Sequence, residues 1–194
     1  MRTISTMSAA SEALDLEPVR PLLRADYDRL VEAGVFEDER IELIEGRLVI
    51  MSPEGAPHAS VVSALTRLLV LALEGQALVR VGSPLAVSDV SEPEPDLAAV
   101  ALGDHSAEHP QTAGLAIEVS HSSLRKDRLI KPALYAAAGI AEYWIVDLQA
   151  RAVTVLTEPD GVGYQHSTVR HHGQQITLVA FPGVTFEVSA FLPE

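Results

Sequence analysis

The chain reads as an α/β (α+β) domain with a central mixed β-sheet flanked by helices, preceded by a short helix and a β-hairpin. Three observations predict it. First, two apolar runs, Leu115–Ser120 and Glu142–Leu148, flank a helical stretch from Leu124 to Ala138. That is the pattern of a βαβ unit with parallel strands and a right-handed crossover. Second, Ile41–Ile44 and Arg47–Met51 surround Glu45-Gly46, and glycine tolerates the positive φ of a two-residue hairpin turn. Third, His58–Leu73 carries Val61, Leu65, Leu68, Leu69 and Ala72 on one stripe, the spacing of an amphipathic helix.

The remaining elements follow in order. Residues 21–33 place Leu23, Tyr27, Leu30 and Val31 at helical spacing and stop at Gly34. Pro53–Pro57 reads as a loop. Ala77–Ser88 reads as a strand bent at Gly82-Ser83-Pro84. The prolines of Ser91–Pro95 lack backbone donors and exclude regular structure there. Asp96–Leu102 is a short apolar strand. Pro132 should kink the 124–138 helix or mark its first turn. Four weaker strand-like runs complete the chain.

Composition bounds the function. At 194 residues and 47% hydrophobic, the chain is long enough to bury a core and too apolar for disorder in its bulk. No apolar run approaches the roughly 20 residues that span a bilayer. Residues 1–20 are small and polar, with acids at Glu12, Asp15 and Glu17 in place of a signal peptide's apolar stretch. They are expected to form a disordered arm before a single domain at 21–194 in a cytoplasmic protein. The absence of cysteine excludes disulfides, thiolate zinc sites and cysteine nucleophiles. A net charge of −13 speaks against a broad nucleic-acid-binding surface. Yet Arg125, Lys126, Arg128 and Lys131 put four of the 14 basic residues within seven positions.

Two carboxylates stand out. Asp96 opens a buried-looking strand after a proline-rich turn, and Glu118 sits inside the apolar strand Leu115-Ala116-Ile117-Glu118-Val119. An ionised carboxylate there is costly unless paired or bound to a metal. On neighbouring strands the two acids would converge at one sheet edge. A magnesium ion suits such a pair, with waters left for phosphate oxygens. A salt-bridge partner or a solvent-facing residue is the other reading of each.

The stretch Glu118-Val119-Ser120-His121-Ser122-Ser123-Leu124, with Asp127-Arg128, Lys131, Tyr135, Gly139 and Glu142-Tyr143-Trp144-Ile145-Val146-Asp147, resembles the signature of the Uma-two family. That family of restriction-endonuclease-like proteins belongs to the PD-(D/E)XK nuclease superfamily. Glu42-Leu43-Ile44-Glu45-Gly46, His58 and Pro95-Asp96 fit it too, and the resemblance covers about residues 24–188.

The resemblance implies a restriction-endonuclease-like core and a Mg²⁺- or Mn²⁺-dependent endonuclease that hydrolyses phosphodiester bonds in nucleic acid, DNA first. Asp96, Glu118 and the Val119 carbonyl would hold the metal, and Glu42 would complete the site. The superfamily places a lysine two residues after the glutamate, where this chain has Ser120. Lys131 on the following helix is the candidate substitute, with Lys126 the second choice. An ordinary solvated helix lysine is the alternative for Lys131, as an exposed acid beside the hairpin turn is for Glu42. His58 would touch substrate phosphate or cap its helix. Arg125 and Arg128 would contact flanking phosphates. His121 stands where relatives carry an acid. Tyr135 would buttress Lys131 or belong to the core, and Trp144 reads as core. His171-His172 reads as a solvated pair. Double-strand cutting with one such site per chain would need a homodimer. The competing functions are a catalytically silent binding or regulatory module on a nuclease scaffold, which the negative charge favours, and hydrolysis of a small phosphorylated molecule.

Overall fold

The computed structural model describes residues 18–121 and 124–193. The arm expected at 1–20 therefore lies almost wholly outside the described residues, as do Ser122 and Ser123. The elements are α1 (Arg24–Glu32), β1 (Ile41–Ile44), β2 (Arg47–Ile50), α2 (Ala56–Ala72), β3 (Leu78–Val81), β4 (Leu97–Val100) and β5 (Leu115–Ser120). They continue with α3 (Leu124–Leu129), α4 (Lys131–Ala137), β6 (Glu142–Asp147), β7 (Ala152–Pro159), β8 (Tyr164–His171), β9 (Gln175–Thr177) and β10 (Thr185–Glu187).

Six strands form the central sheet in the order β3-β4-β5-β6-β7-β8. Only β5 and β6 run parallel; every other neighbouring pair is antiparallel, so the sheet is mixed. Strands β4, β5 and β6 are buried along their whole length because both faces of the sheet are covered.

Successive side chains of a strand point to opposite faces. Leu97, Ala99, Leu115, Ile117, Val119, Trp144 and Val146 join Val61, Leu65 and Leu69 of α2 in one core, closed by C-terminal residues such as Phe186 and Phe191. Ala98, Val100, Ala116, Tyr143 and Ile145 join Tyr135 and Ile140 in the core on the other face. Glu118 and Ser120 share the parity of this second set, so they face α3 and α4.

Several boundaries differ from the sequence reading, for local physical reasons. Helix α2 begins at Ala56, with Gly55 at its N-cap and Pro57 inside the first turn. Proline fits there because a first-turn N–H has no intrahelical partner to lose. The stretch read as one helix over 124–138 is two, broken at Ile130, with Pro132 in the opening turn of α4. The strand expected over Ala77–Ser88 ends at Val81, where Gly82 takes φ +48° and the chain leaves the sheet.

The hairpin β1–β2 is a separate ladder. Its turn residues Glu45 and Gly46 both have positive φ, 48° and 71°, which the twist of a two-residue hairpin requires. A Cβ at Gly46 would also lie 2.3 Å from Cβ of Pro21, so glycine is needed there twice over. The Tyr27 hydroxyl donates to the Ile41 carbonyl at 2.7 Å, and the Glu92 N–H donates to the Leu43 carbonyl at 2.8 Å. These contacts hold β1 against the body and carry Glu42 inward, where it is 1% exposed.

Glu92 is 4% exposed, with Oε2 lacking a hydrogen-bond partner. Burial, with Asp28 nearby, pushes its carboxyl up to about 7 although Arg24 pulls it down. The folded chain thus holds this proton more tightly than the unfolded chain does. The associated stability is complete below the unfolded value near 4.5 and is lost as pH rises through about 7. Glu92→Gln should flatten the stability profile between pH 5 and 7.5 in urea titrations. At pH 8 it should exceed the parent by roughly 1–3 kcal/mol. An unchanged profile would show that Glu92 does not titrate in that window.

Candidate functional site

Asp96 immediately precedes β4, and the register Leu97↔Ile117 places it opposite Glu118 on β5. The two acids therefore meet where β4 begins and β5 ends. The Val119 N–H donates to Asp96 Oδ2 at 2.6 Å, which locks the Asp96 carboxylate onto its neighbour strand. Both acids and Val119 line a cavity of about 150 Å³ together with Glu54, His58, His121, Lys126, Asp127 and Lys131.

Lys131 is 1% exposed. Its Nζ lies 2.6 Å from Glu118 Oε1, 3.3 Å from Glu42 Oε2 and 3.9 Å from Asp127 Oδ1. It is the first residue of α4, and the break at Ile130 aims it under the sheet rather than into solvent. The Tyr135 hydroxyl, one helical turn on, donates to the same Glu118 oxygen at 2.9 Å. Tyr135 thus touches Glu118 rather than buttressing Lys131, and it is also part of the core.

Burial pushes the Glu118 carboxyl well above its ordinary range; Lys131 opposes this, while Asp127, Asp96 and Glu42 add to it. Burial alone would lower the pKa of Lys131, but Glu118, Glu42 and Asp127 outweigh it and raise the ammonium above its ordinary value. Glu42 is pulled up by burial, yet Lys131 and Lys126 together bring it below the usual carboxylate value. Glu42 also accepts the Glu94 N–H at 3.2 Å and pairs with Lys126. Its carboxylate is thereby engaged by two ammonium groups.

His58 lies in the first turn of α2, inside the helix rather than at its cap, and is 8% exposed. Its Nε2 is 3.1 Å from Asp96 Oδ1, and that hydrogen bond raises the pKa of the imidazole, opposed by burial. Its Nδ1 is 3.4 Å from Glu54 Oε2 but makes no hydrogen bond. Arg40 holds Glu54 and also bonds Glu94 at 3.2 Å. Arg128 is paired with Asp147 at 2.9 Å, and Arg125 lines a groove beside the cavity with Ile50, Ser52, Lys126 and Leu129.

Glu54 and Asp127 are the site residues that sequence reasoning left without a role. Asp127 is buried, lines the cavity and accepts the Ser120 hydroxyl at 2.6 Å. The signal for Asp127 was its place four residues before Lys131 on a helical stretch. For Glu54 it was the same spacing before His58. Both His171 and His172 are exposed at the end of β8.

The donor set suits a hard divalent cation. Glu42, Glu54, Glu94, Asp96, Glu118 and Asp127 are joined through ion pairs to Arg40, His58, Lys126 and Lys131. Counted as ionised, six carboxylates against four cations leave an excess of two negative charges. Among the described residues, ligand atoms of Glu54, His58 and Asp96 also lie within 4.8 Å of one another.

A family model described as "Putative restriction endonuclease", Uma2, matches residues 24–189. The chain belongs to the Uma2 family. A crystal structure from Anabaena variabilis, of a protein titled a putative nuclease belonging to DUF820, has the same fold. The two share 14% identity with a TM-score of 0.69, over 89% of this chain and 98% of that one. No match is found among curated proteins. Membership of Uma2 supports a nuclease with nucleic acid as its partner. Among the described residues no helix is long and apolar enough to cross a membrane.

Lys131→Met keeps the length of the side chain and leaves Glu118 and Glu42 buried without their shared ammonium. The metal-free variant should lose about 3–5 kcal/mol in urea unfolding at pH 8. The deficit should shrink toward pH 5, where protons can replace the ammonium on the two acids. A loss under about 1 kcal/mol would mean that the acids find other partners.

Proposed function

We propose that this Uma2 protein is a divalent-metal-dependent endonuclease that hydrolyses phosphodiester bonds, with DNA as the first candidate substrate. The observation that carries the reading is the convergence of Asp96, Glu118 and Lys131, from three separate elements, on one small cavity. Residues 21–194 act as one domain in this reading, and cutting both strands of a duplex takes two copies of the chain.

Asp96, Glu118 and the Val119 carbonyl are the groups assigned to Mg²⁺ or Mn²⁺, with Glu42 placed behind them through Lys131. A bound ion supplies charge to polarise the scissile phosphate and lowers the pKa of a water. The rest falls to the chain. Lys131 holds a fixed positive charge next to Glu118, which offsets the charge that gathers on the phosphorus oxygens and orients the attacking water. Tyr135 fixes the Glu118 carboxylate by its hydroxyl. Val119 fixes that of Asp96 by its N–H. Arg125, and Arg128 beside Asp147, are assigned to flanking phosphates, and His58 to the substrate side of the cavity.

A second reading, a silent nuclease-fold binding module, has one specific observation in its favour. The cationic groups nearest the cavity are largely engaged by acids of the chain itself, in a protein of net charge −13.

The experiment is cleavage of labelled DNA and RNA oligonucleotides with Mg²⁺ or Mn²⁺, beside a chelator control. The parent should cut. Asp96→Ala and Glu118→Gln should lose at least about 10²-fold in rate while keeping their circular dichroism. Metal binding without cleavage of any oligonucleotide would favour the silent module. Cleavage confined to a generic small phosphodiester would replace nucleic acid with a small substrate. Global unfolding of both variants would assign the acids to the fold.

A further inference from the structure

We propose that the cleft between α1, the loop before β4 and residues 101–113 binds a linear organic diamine or polyamine, with Glu92 receiving one of its ammonium groups. None of the residues lining this cleft lines the cavity assigned to the metal, and neither site needs the other.

The cleft encloses about 350 Å³, a volume in the range of small-ligand pockets. Its charge is one-sided. Asp28 and Glu32 come from α1, Glu92 from the loop before β4 and Glu108 from residues 101–113. Against these four acids Arg24 is the one permanent cation among the described residues that line it. His105 and His109 also line the cleft. Arg80 donates to His109 Nδ1 at 3.3 Å, and burial, followed by the charge of Arg80, lowers the pKa of that imidazole. His109 therefore adds no positive charge at neutral pH.

An acidic lining is common on protein surfaces. The state of Glu92 is not. It is 4% exposed, yet its Oε2 has no hydrogen-bond partner and lies 3.8 Å from Arg24 Nη1. Its Oε1 is 3.9 Å from His109 Nε2. Both distances exceed hydrogen-bonding reach. A buried carboxylate is normally both paired and hydrogen-bonded. Arg24 does not close the gap, because its Nη1 is bonded to Asp28 at 3.3 Å. The upward push of burial and Asp28 on the Glu92 carboxyl is the energetic sign of the same deficit. An ammonium carries three N–H donors and a full charge, and so meets both needs of this group.

The spacing of the acids selects the kind of cation. Among the described residues, three histidine or carboxylate ligand atoms come within 4.8 Å of one another only at Glu54, His58 and Asp96. The groups lining this cleft are thus too dispersed for a bare metal ion, whose ligands crowd around one point. Dispersed carboxylates suit a cation whose charges are themselves separated along a chain. Val31 and Ala107 line the same cleft and offer apolar contact to the intervening methylenes. The walls are fixed in advance. The Arg24 N–H donates to the Asp89 carbonyl at 2.7 Å, and the Ala86 N–H to the Pro110 carbonyl at 2.9 Å. A site so tied down loses little freedom when it is filled.

The test is calorimetric titration of putrescine and spermidine into the intact protein at pH 8, in about 0.15 M salt with a chelator present. Each chain should take up about one molecule, and butylamine, with a single ammonium, should bind at least about tenfold more weakly. Glu92→Gln, expected above to be the more stable protein at pH 8, should weaken putrescine at least about tenfold. Glu108→Gln, at an exposed residue, should weaken it by a smaller factor and leave the fold intact. Glu54→Gln, in the other cavity, should leave it unchanged. No saturable uptake would overturn the site. Uptake that survives Glu92→Gln and Glu108→Gln would overturn it as general attraction to a chain of net charge −13. Uptake lost in Glu54→Gln but kept in Glu92→Gln would overturn it by placing the amine in the nuclease cavity. Butylamine binding as tightly as putrescine would overturn the two-ended ligand. Tetralysine binding more tightly than spermidine, in a manner that depends on Glu92, would replace the small amine with a basic protein segment.

Discussion

The ammonium of Lys131, buried among Glu118, Glu42 and Asp127, is the constraint on which the rest of the arrangement depends. Three buried carboxylates so close together repel one another and would take up protons or force the elements apart. One cation between them converts that repulsion into a clamp. It ties the hairpin through Glu42, the central sheet through Glu118 and the crossover helices through Asp127. Such a group contributes little net stability against an apolar substitute, because both partners lose their hydration. What it supplies is position: three elements meet at one point with defined geometry.

That clamp explains features that otherwise look incidental. The short length of α3 and the break before Pro132 set the first residue of α4 beneath β5 instead of on the protein surface. Among the described residues the separate hairpin shares no ladder with the main sheet, its isolated bridge pairing Leu43 with Glu92 in the loop before β4, and Glu42 adds ion pairs to both Lys126 and Lys131. The parallel pair β5–β6 matters for the same reason. A parallel connection must cross over, and the crossover delivers Lys126, Asp127 and Lys131 to one end of β5.

Much of this was legible in the sequence. The mixed sheet flanked by helices, the hairpin with Glu45-Gly46 at its turn and the parallel pair around a helical crossover follow from periodicity and turn chemistry. Boundaries were less legible at proline, because Pro57 and Pro132 open helices as readily as they end them. Within the site, Asp96 and Glu118 drew notice because carboxylates beside apolar runs are costly. Glu54 carried only its four-residue spacing to His58, in a loop where acids are ordinary. The burial of Glu42 was hidden too, since β1 shows only four residues and its docking depends on Glu92 and Tyr27 elsewhere in the chain. The engagement of Arg128 by Asp147 spans α3 and β6, a pairing that no local spacing announces.

The hairpin has a bearing on how the protein is made. Glu42 emerges from the ribosome 84 residues before its partner Lys126. At about 5–20 residues per second that interval is roughly 4–17 s. Throughout it the hairpin carries an acid destined for the interior with no cation yet synthesised to receive it. A β-hairpin alone forms within about 10 μs, so local structure is not what the chain waits for. The ion pairs that seat Glu42 are therefore late events, completed only after the crossover helices exist.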